Sequence, residues 1–224
     1  MFLKVANSGS SGNCYSLTDD EGKVLLLDAG VPLPDVKKLV DWKVGNITGC
    51  FITHSHNDHS KSADKLKNMG IKVFEPYKEN FSQRFAHDGY NIFAFPVNHD
   101  GVECRAAYIV CPNGHKVLYL TDLSHCKYKF IDQKVNTILI ECNYMDDMDE
   151  ENETKRHHVY RGHLSLNNCK EFLKINQTEA LKTVILCHMS VDNADELEMV
   201  RQVKEVVGEN VRVFAAKRGL VMKL

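Results

Sequence analysis

The stretch that most constrains this 224-residue chain is Thr53-His54-Ser55-His56-Asn57-Asp58-His59, in which three imidazoles and a carboxylate fall within six residues. It follows Gly49-Cys50-Phe51-Ile52, an apolar and β-branched run that reads as a buried strand. If the backbone leaves that strand and turns, His54 and His56 converge on one point while Asp58 and His59 swing toward a second one close by. One tight loop then holds two divalent metal ions. Neutral imidazole nitrogens and an anionic oxygen suit Zn²⁺ first, with Mn²⁺ or iron as alternatives, because a set without thiolates does not single out one metal. The competing reading is a solvated, histidine-rich turn.

Strand-like runs recur along the chain, and several end in a residue with chemistry to offer. Residues 2–6 and 14–18 read as strands around Asn7-Ser8-Gly9-Ser10-Ser11-Gly12-Asn13. That loop lacks a Walker lysine and is followed by a strand, which argues against a P-loop; a plain hairpin turn is the simple reading. Lys23 to Gly30 reads as a buried strand ending at Asp28. Pro32 and Pro34 then open a helix over about 34–43 that carries the only tryptophan, Trp42, expected in the core. A helix over 60–69 is stopped by Gly70, and 71–74 reads as a strand. Phe93 to Asp100 is a strand ending at His99, and strands over 104–110 and 115–121 meet at the hairpin turn Pro112-Asn113-Gly114, the second ending at Asp122. Residues 135–143 and 184–188 are further strands, the last ending at His188. Gly162-His163-Leu164-Ser165 leads into an amphipathic helix over 165–176 in which Leu166, Cys169, Phe172 and Leu173 share one side. A helix over 193–207 and strands over 211–215 and 219–223 follow. Strands alternating with helices predict an α/β fold with helices on the outer faces of its sheets, formed by residues 1–224 as one domain.

Charge narrows the function class. With 28 Lys and Arg against 30 Asp and Glu, the formal charge is −2, which argues against a broad basic face for nucleic acid. It leaves room for a phosphodiester substrate, since two bound cations make a site positive whatever the total count. The most basic patch is Lys155-Arg156-His157-His158 with Arg161, set after the acidic run from Asp146 to Glu151. Eight cysteines are scattered without a Cys-x-x-Cys pair, mostly inside apolar runs, as small hydrophobes do in a reducing cytoplasm. The reading finds no leader peptide and no apolar run near the ~18 residues of a membrane span.

His54-x-His56-x-Asp58-His59 after a buried strand resembles the signature loop of the metallo-β-lactamase superfamily, and Ser8 to Asn13 with Gly162-His163-Leu164-Ser165 resembles more narrowly its YycJ/WalJ-like exonuclease branch. The resemblance runs from about residue 2 to residue 224. It implies a four-layer αββα sandwich with a metal site at the edge of its two sheets, and it places the Ser8 to Asn13 loop beside that site. It further implies His54, His56 and His99 on one metal, Asp58, His59 and His188 on the other, Asp122 bridging them, and Asp28 supporting the metal loop by hydrogen bonding. His163, by the same resemblance, is no ligand but faces the scissile phosphate and protonates the leaving oxygen. The chain departs from that branch at Tyr144 and Met145, where a His and an Asp are common, so no role is carried over there.

These expectations describe a dinuclear-metal phosphodiester hydrolase, with Asp58 and His163 as the catalytic pair and a water shared by the cations as nucleophile. A DNA exonuclease-like nuclease is the leading reading. A phosphodiesterase acting on cyclic nucleotides or other small molecules is the alternative. Thioester or lactam hydrolysis fits the motif less well, and a redox enzyme of this fold would require a flavin domain. Partners follow from the chemistry: a nucleic-acid or cyclic-nucleotide substrate, no membrane, and self-association as a homodimer in keeping with the superfamily.

Overall fold

A computed structural model describes residues 1–78, 83–147 and 159–224. The first half of the chain builds one sheet from β1 (Phe2–Asn7), β2 (Cys14–Thr18), β3 (Val24–Leu27), β4 (Ile47–Phe51) and β5 (Lys72–Phe74), closed at its edge by β13 (Val221–Lys223), in the order β13-β1-β2-β3-β4-β5. The second sheet contains β6 (Gln83–His87), β7 (Tyr90–His99), β8 (Val102–Val110), β9 (Lys116–Leu120), β10 (Thr137–Glu141), β11 (Thr183–Cys187) and β12 (Arg212–Ala215), in the order β12-β11-β10-β9-β8-β7-β6.

Period-two alternation sorts side chains into three apolar layers, because successive residues of a strand point to opposite faces. Leu25 and Leu27 of β3, Leu139 of β10 and Ile185 of β11 meet between the sheets, together with Phe51 and Tyr119. Val24 and Leu26 face the other way, under α1 (Leu33–Leu39), with Leu66 of α3 (Ala63–Asn68) in the same cluster. Ile138, Ile140 and Leu186 point outward from the second sheet onto Leu173 of α4 (Leu166–Asn176) and Met199 of α5 (Glu196–Val207). Strands buried on both faces must be apolar at nearly every position, which is why these read as continuous runs. The result is the expected αββα sandwich.

Several boundaries differ from expectation. The helix after Pro32 stops at Leu39, because Asp41 and Trp42 both take left-handed backbone angles, with φ of 51° and 63°. Trp42 is therefore not a core residue: it lies beyond α1 in the following turn and is 64% exposed. The helix expected over 60–69 begins earlier and is broken, with a short α2 (Asn57–Ser60) starting inside the histidine motif and α3 following it. The last helix starts at Glu196, where Asp195 caps it by accepting from the Glu198 N–H at 3.0 Å. The Lys155 to His158 patch lies outside the described residues. All eight cysteines are free thiols and seven are buried, and among the described residues no helix is long and apolar enough to cross a membrane.

Candidate metal centre

β3 and β4 run parallel, as do β9, β10 and β11, so their carboxyl ends lie together at one edge of the sandwich. Open α/β sheets present their chemistry at such edges. Asp28 follows β3, Asp122 stands just past β9, Glu141 ends β10 and His188 follows β11; three of them, Asp28, Asp122 and His188, have positive φ of 57°, 53° and 51°. Asp and His tolerate the left-handed region better than β-branched residues do, so the chain can turn sharply there.

The histidine loop is held from two sides. Asp28 accepts from the Thr53 N–H at 2.8 Å and from the Tyr119 hydroxyl at 2.6 Å, and its second oxygen lies 2.7 Å from Nδ1 of His59. From the other side the Asn13 N–H donates to the Asp58 carbonyl at 2.7 Å, and the Ala29 N–H to the His59 carbonyl at 2.8 Å. His56 sits at the N-terminal boundary of α2, so Asp58 and His59 fall in its first turn while His54 and His56 remain on the extended approach. This divides the motif into two groups.

All seven expected ligands converge. Ligand atoms of His54, His56 and His99 lie within 4.8 Å of one another, as do those of Asp58, His59 and His188. Asp122 reaches both sets: one oxygen is 3.1 Å from His59 Nε2, and the other is 3.5 Å from His188 Nε2 and 3.8 Å from His99 Nε2. A carboxylate so placed can give one oxygen to each of two cations.

The outward ring nitrogens are already engaged. Nδ1 of His99 donates to the Gly162 carbonyl at 2.7 Å, Nδ1 of His54 is 3.0 Å from the Thr53 hydroxyl, and Nδ1 of His188 is 3.1 Å from Glu141. Metal-binding imidazoles are oriented in this way, leaving the other nitrogen for the ion. Nε2 of His54 and of His188 is buried with no hydrogen-bond partner. Orphaned buried nitrogens are costly, and here both belong to the convergent set, so the residues present fit a metal pair.

Electrostatics follow from this crowding. Burial drives the His54 imidazole down to about 2, helped by the neighbouring His59. Burial acts the same way on His188, but Asp122, Asp58 and Glu141 outweigh it and carry the group up to about 10. His59 is likewise raised, against burial, by Asp122 and Asp28. Asp58 stays well below the ordinary carboxylate range, since the nearby His188 and His59 rings, 3.5 and 3.4 Å away, overcome its burial.

His163 stands beside the cluster, its ring stacked on that of His188 with centroids 5.2 Å apart. Nδ1 of His163 is 2.7 Å from Oε1 of Glu141, and the side chain is 14% exposed. Glu141 was not among the expected site residues, although a carboxylate ending an apolar strand was a visible signal. It is fully buried, and its other oxygen accepts from the backbone N–H groups of Leu123 at 3.0 Å and Leu164 at 3.3 Å. Asp122, Glu141, His163 and His188 also form a set able to hold an ion. Asn13 and Asn143 are further residues that spacing did not reveal; Asn143 donates to the His188 carbonyl at 2.7 Å.

The Ser8 to Asn13 loop borders the site as expected, without forming a phosphate cradle. Its N–H groups at Gly9, Gly12 and Asn13 are consumed by Asn13 Oδ1, the Gly9 carbonyl and the Asp58 carbonyl, and Ser8 Oγ accepts from the His188 N–H at 2.9 Å.

Comparison with known proteins is consistent with this geometry. Residues 8–95 match the model of the metallo-β-lactamase superfamily. The chain is 25% identical over 240 aligned positions to exodeoxyribonuclease YycJ of Bacillus anthracis, covering 81% of this chain and 89% of that protein. Among solved structures, the metallo-β-lactamase fold protein YhfI of Bacillus subtilis aligns with a TM-score of 0.75 at 17% identity over 99% of each chain. The short form of human tRNase Z aligns at 0.64 and 17% identity, over 100% of this chain and 99% of that one. At these identities the structural likenesses establish the fold.

Proposed function

We propose that this chain is a hydrolase of the metallo-β-lactamase superfamily that cleaves phosphodiesters, and that its substrate is nucleic acid. The observation that carries the reading is the buried Glu141 holding His163 against the metal-binding cluster. Phosphodiester hydrolysis expels an alkoxide, which needs a proton, and an imidazole oriented by a carboxylate is the group to deliver it. Thioester hydrolysis, which expels a thiolate able to leave unprotonated, gives this pair no comparable task. The exodeoxyribonuclease name of the relative and the tRNase Z name of the structural neighbour favour a polynucleotide over a small ester.

In this reading His54, His56 and His99 hold one divalent cation, Asp58, His59 and His188 hold a second, and Asp122 is shared. Zn²⁺ suits the nitrogen and oxygen donors, with Mn²⁺ as the alternative. A bound cation pair supplies positive charge for the phosphoryl oxygens and lowers the pKa of water. Asp58, with a side chain 24% exposed, is placed to accept a hydrogen bond from the attacking water. His163 donates its proton to the leaving oxygen. Glu141 fixes which nitrogen of His163 points outward and stabilises its imidazolium.

The test is hydrolysis by metal-loaded protein of 5′-labelled linear DNA and of cyclic mononucleotides side by side, with Asp122→Ala as the blank. Mononucleotide release from DNA, absent in the blank, supports the nuclease reading. Ring opening with intact DNA replaces it with a small-molecule phosphodiesterase, and inactivity on both, and on RNA and a small aryl phosphodiester as well, ends the phosphodiester reading.

A further inference from the structure

Immediately past Asp122 the chain runs without regular secondary structure from Leu123 to Phe130, and its side chains alternate between two environments. His125, Lys127 and Lys129 are exposed; Cys126 and Tyr128 are half-buried and Phe130 is buried. The alternation of exposed and covered residues puts the three basic groups on the solvent side, and a strand-like rise would set them roughly 6.6 Å apart from one to the next. That interval is comparable to the separation of successive phosphates in a stretched single strand.

The segment is fixed in place at both ends. The Ser124 N–H donates to the Asn98 carbonyl at 2.9 Å and Asn98 Nδ2 to Ser124 Oγ at 3.1 Å, which ties it beside His99. Farther along, the Tyr128 ring packs on Phe95 with centroids 5.1 Å apart, and Phe95 on Phe130 at 5.3 Å. Ring contacts then continue over the outer face of the second sheet, from Phe130 to Tyr108 at 6.4 Å and from Tyr108 to Phe93 at 5.8 Å. They end under Arg84, whose guanidinium carbon lies 4.9 Å from the Phe93 centroid. Tyr128, Tyr108 and Phe93 are each only partly buried. A cavity of about 250 Å³ opens between this segment and α4, lined by Lys127, Tyr128 and Lys129 on one wall and by Phe172 and the exposed carboxylate of Glu171 on the other.

Lys127 and Lys129 take part in no ion pair among the described residues, although acidic side chains outnumber basic ones in the chain; Lys127 Nζ lies instead 5.5 Å from the centroid of the Tyr128 ring, an exposed contact that a stacked base would displace. Unneutralised lysines interleaved with partly exposed rings are what single-stranded nucleic acid requires: cations for its phosphates and π-faces for its bases. Their position supplies the direction, because the segment begins at a residue expected to bridge the metals.

We infer that the segment from His125 to Lys129 is a track along which a single-stranded polynucleotide leaves the metal edge, with Lys127 and Lys129 on consecutive phosphates and Tyr128 under a base. The inference rests on the phosphodiester reading above and adds to it a binding surface and a strand state.

The test measures binding of a fluorescent phosphorothioate oligonucleotide to the metal-loaded protein by anisotropy across a salt series, for the DNA and the RNA form. Hydrolysis of a small aryl phosphodiester is followed in parallel. Single-strand binding loses affinity with salt at ~0.7 per phosphate contact, so Lys127→Ala/Lys129→Ala should reduce the log–log slope by about 1.4. Lys65→Ala/Lys72→Ala, the same charge loss on the other sheet's side, should leave the slope as it is. Tyr128→Leu should weaken binding about tenfold without changing the slope, the loss of one stacked base. If the protein hydrolyses the aryl ester but binds no single strand, or if the two double variants have the same slope, the track is wrong while the phosphodiester reading stands. Failure to hydrolyse any phosphodiester removes both.

Discussion

The carboxylate of Glu141 lies 2.7 Å from Nδ1 of His163 and 3.1 Å from Nδ1 of His188, so one fully buried anion orients both the proposed acid and a proposed ligand. Glu141→Gln keeps the shape and removes the charge. Partners of this kind are typically worth 10–100-fold in metal affinity or activity. Turnover on a phosphodiester should fall by about that factor, and metal stoichiometry measured after dialysis should drop at the same time. A variant with unchanged kcat and full metal content would remove Glu141 from the site's working parts.

His163 and Asp122 are predicted to fail in different ways. His163→Ala should retain its metal and lose ~10²–10⁴-fold in kcat, the usual range for a general acid. Asp122→Ala should lose metal and turnover together, since its two oxygens face both ligand sets. Elemental analysis beside steady-state kinetics separates the cases. Equal metal loss in both variants would make His163 a ligand, a role its membership of the Asp122, Glu141 and His188 set permits.

Metal binding should expel protons. Without a cation, burial opposes charge on His59 and His188, but the surrounding carboxylates outweigh it: His59 titrates above its ordinary range and His188 near 10. His188 is therefore imidazolium at pH 7, and a proton on the coordinating nitrogen of either group must leave before that nitrogen can bind a cation. His54, pushed down to about 2, is already neutral and contributes nothing. Apparent affinity should thus rise with pH through the neutral range, as the proton competitors leave. Calorimetry in buffers of different ionisation enthalpy should show net proton release at pH 7, from these histidines together with any water that the cations acidify. Release near zero would contradict the assignment of both histidines.

Much of the architecture was legible because strands buried on both faces have to be continuously apolar, and Val184 to Cys187 or Val24 to Leu27 can hardly be read otherwise. The candidate ligands were legible in part from spacing: His54 to His59 signals itself, whereas His99, Asp122 and His188 gained meaning only from resemblance to a family. What stayed hidden was anything decided by through-space contact. Glu141 ends an apolar strand and Asn13 a loop expected beside the site, but their partners lie 22 and 46 residues away, and no local pattern marks such pairings. Trp42 misled because a large aromatic is usually core, while its exposure follows from left-handed backbone at Asp41 and Trp42 themselves.

Gly30 offers the sharpest test of how the loop is held. Its φ is unremarkable, so any L residue could adopt the backbone, yet a Cβ there would lie 1.6 Å from the Asp58 carbonyl oxygen and 2.7 Å from the His59 nitrogen. Both contacts are with backbone and cannot be relieved by a rotamer change. Gly30→Ala must therefore push α2 outward and carry Asp58 and His59 with it, away from His188. Overpacking of this kind costs about 1–3 kcal/mol, with loss of at least one metal per chain as the functional consequence. Gly45→Ala, where a Cβ meets nothing within 4 Å, is the matched control. Urea unfolding and metal content should separate the two variants clearly. A Gly30→Ala protein with wild-type stability and full metal would mean that the strand-to-loop contact does not hold the ligands in place.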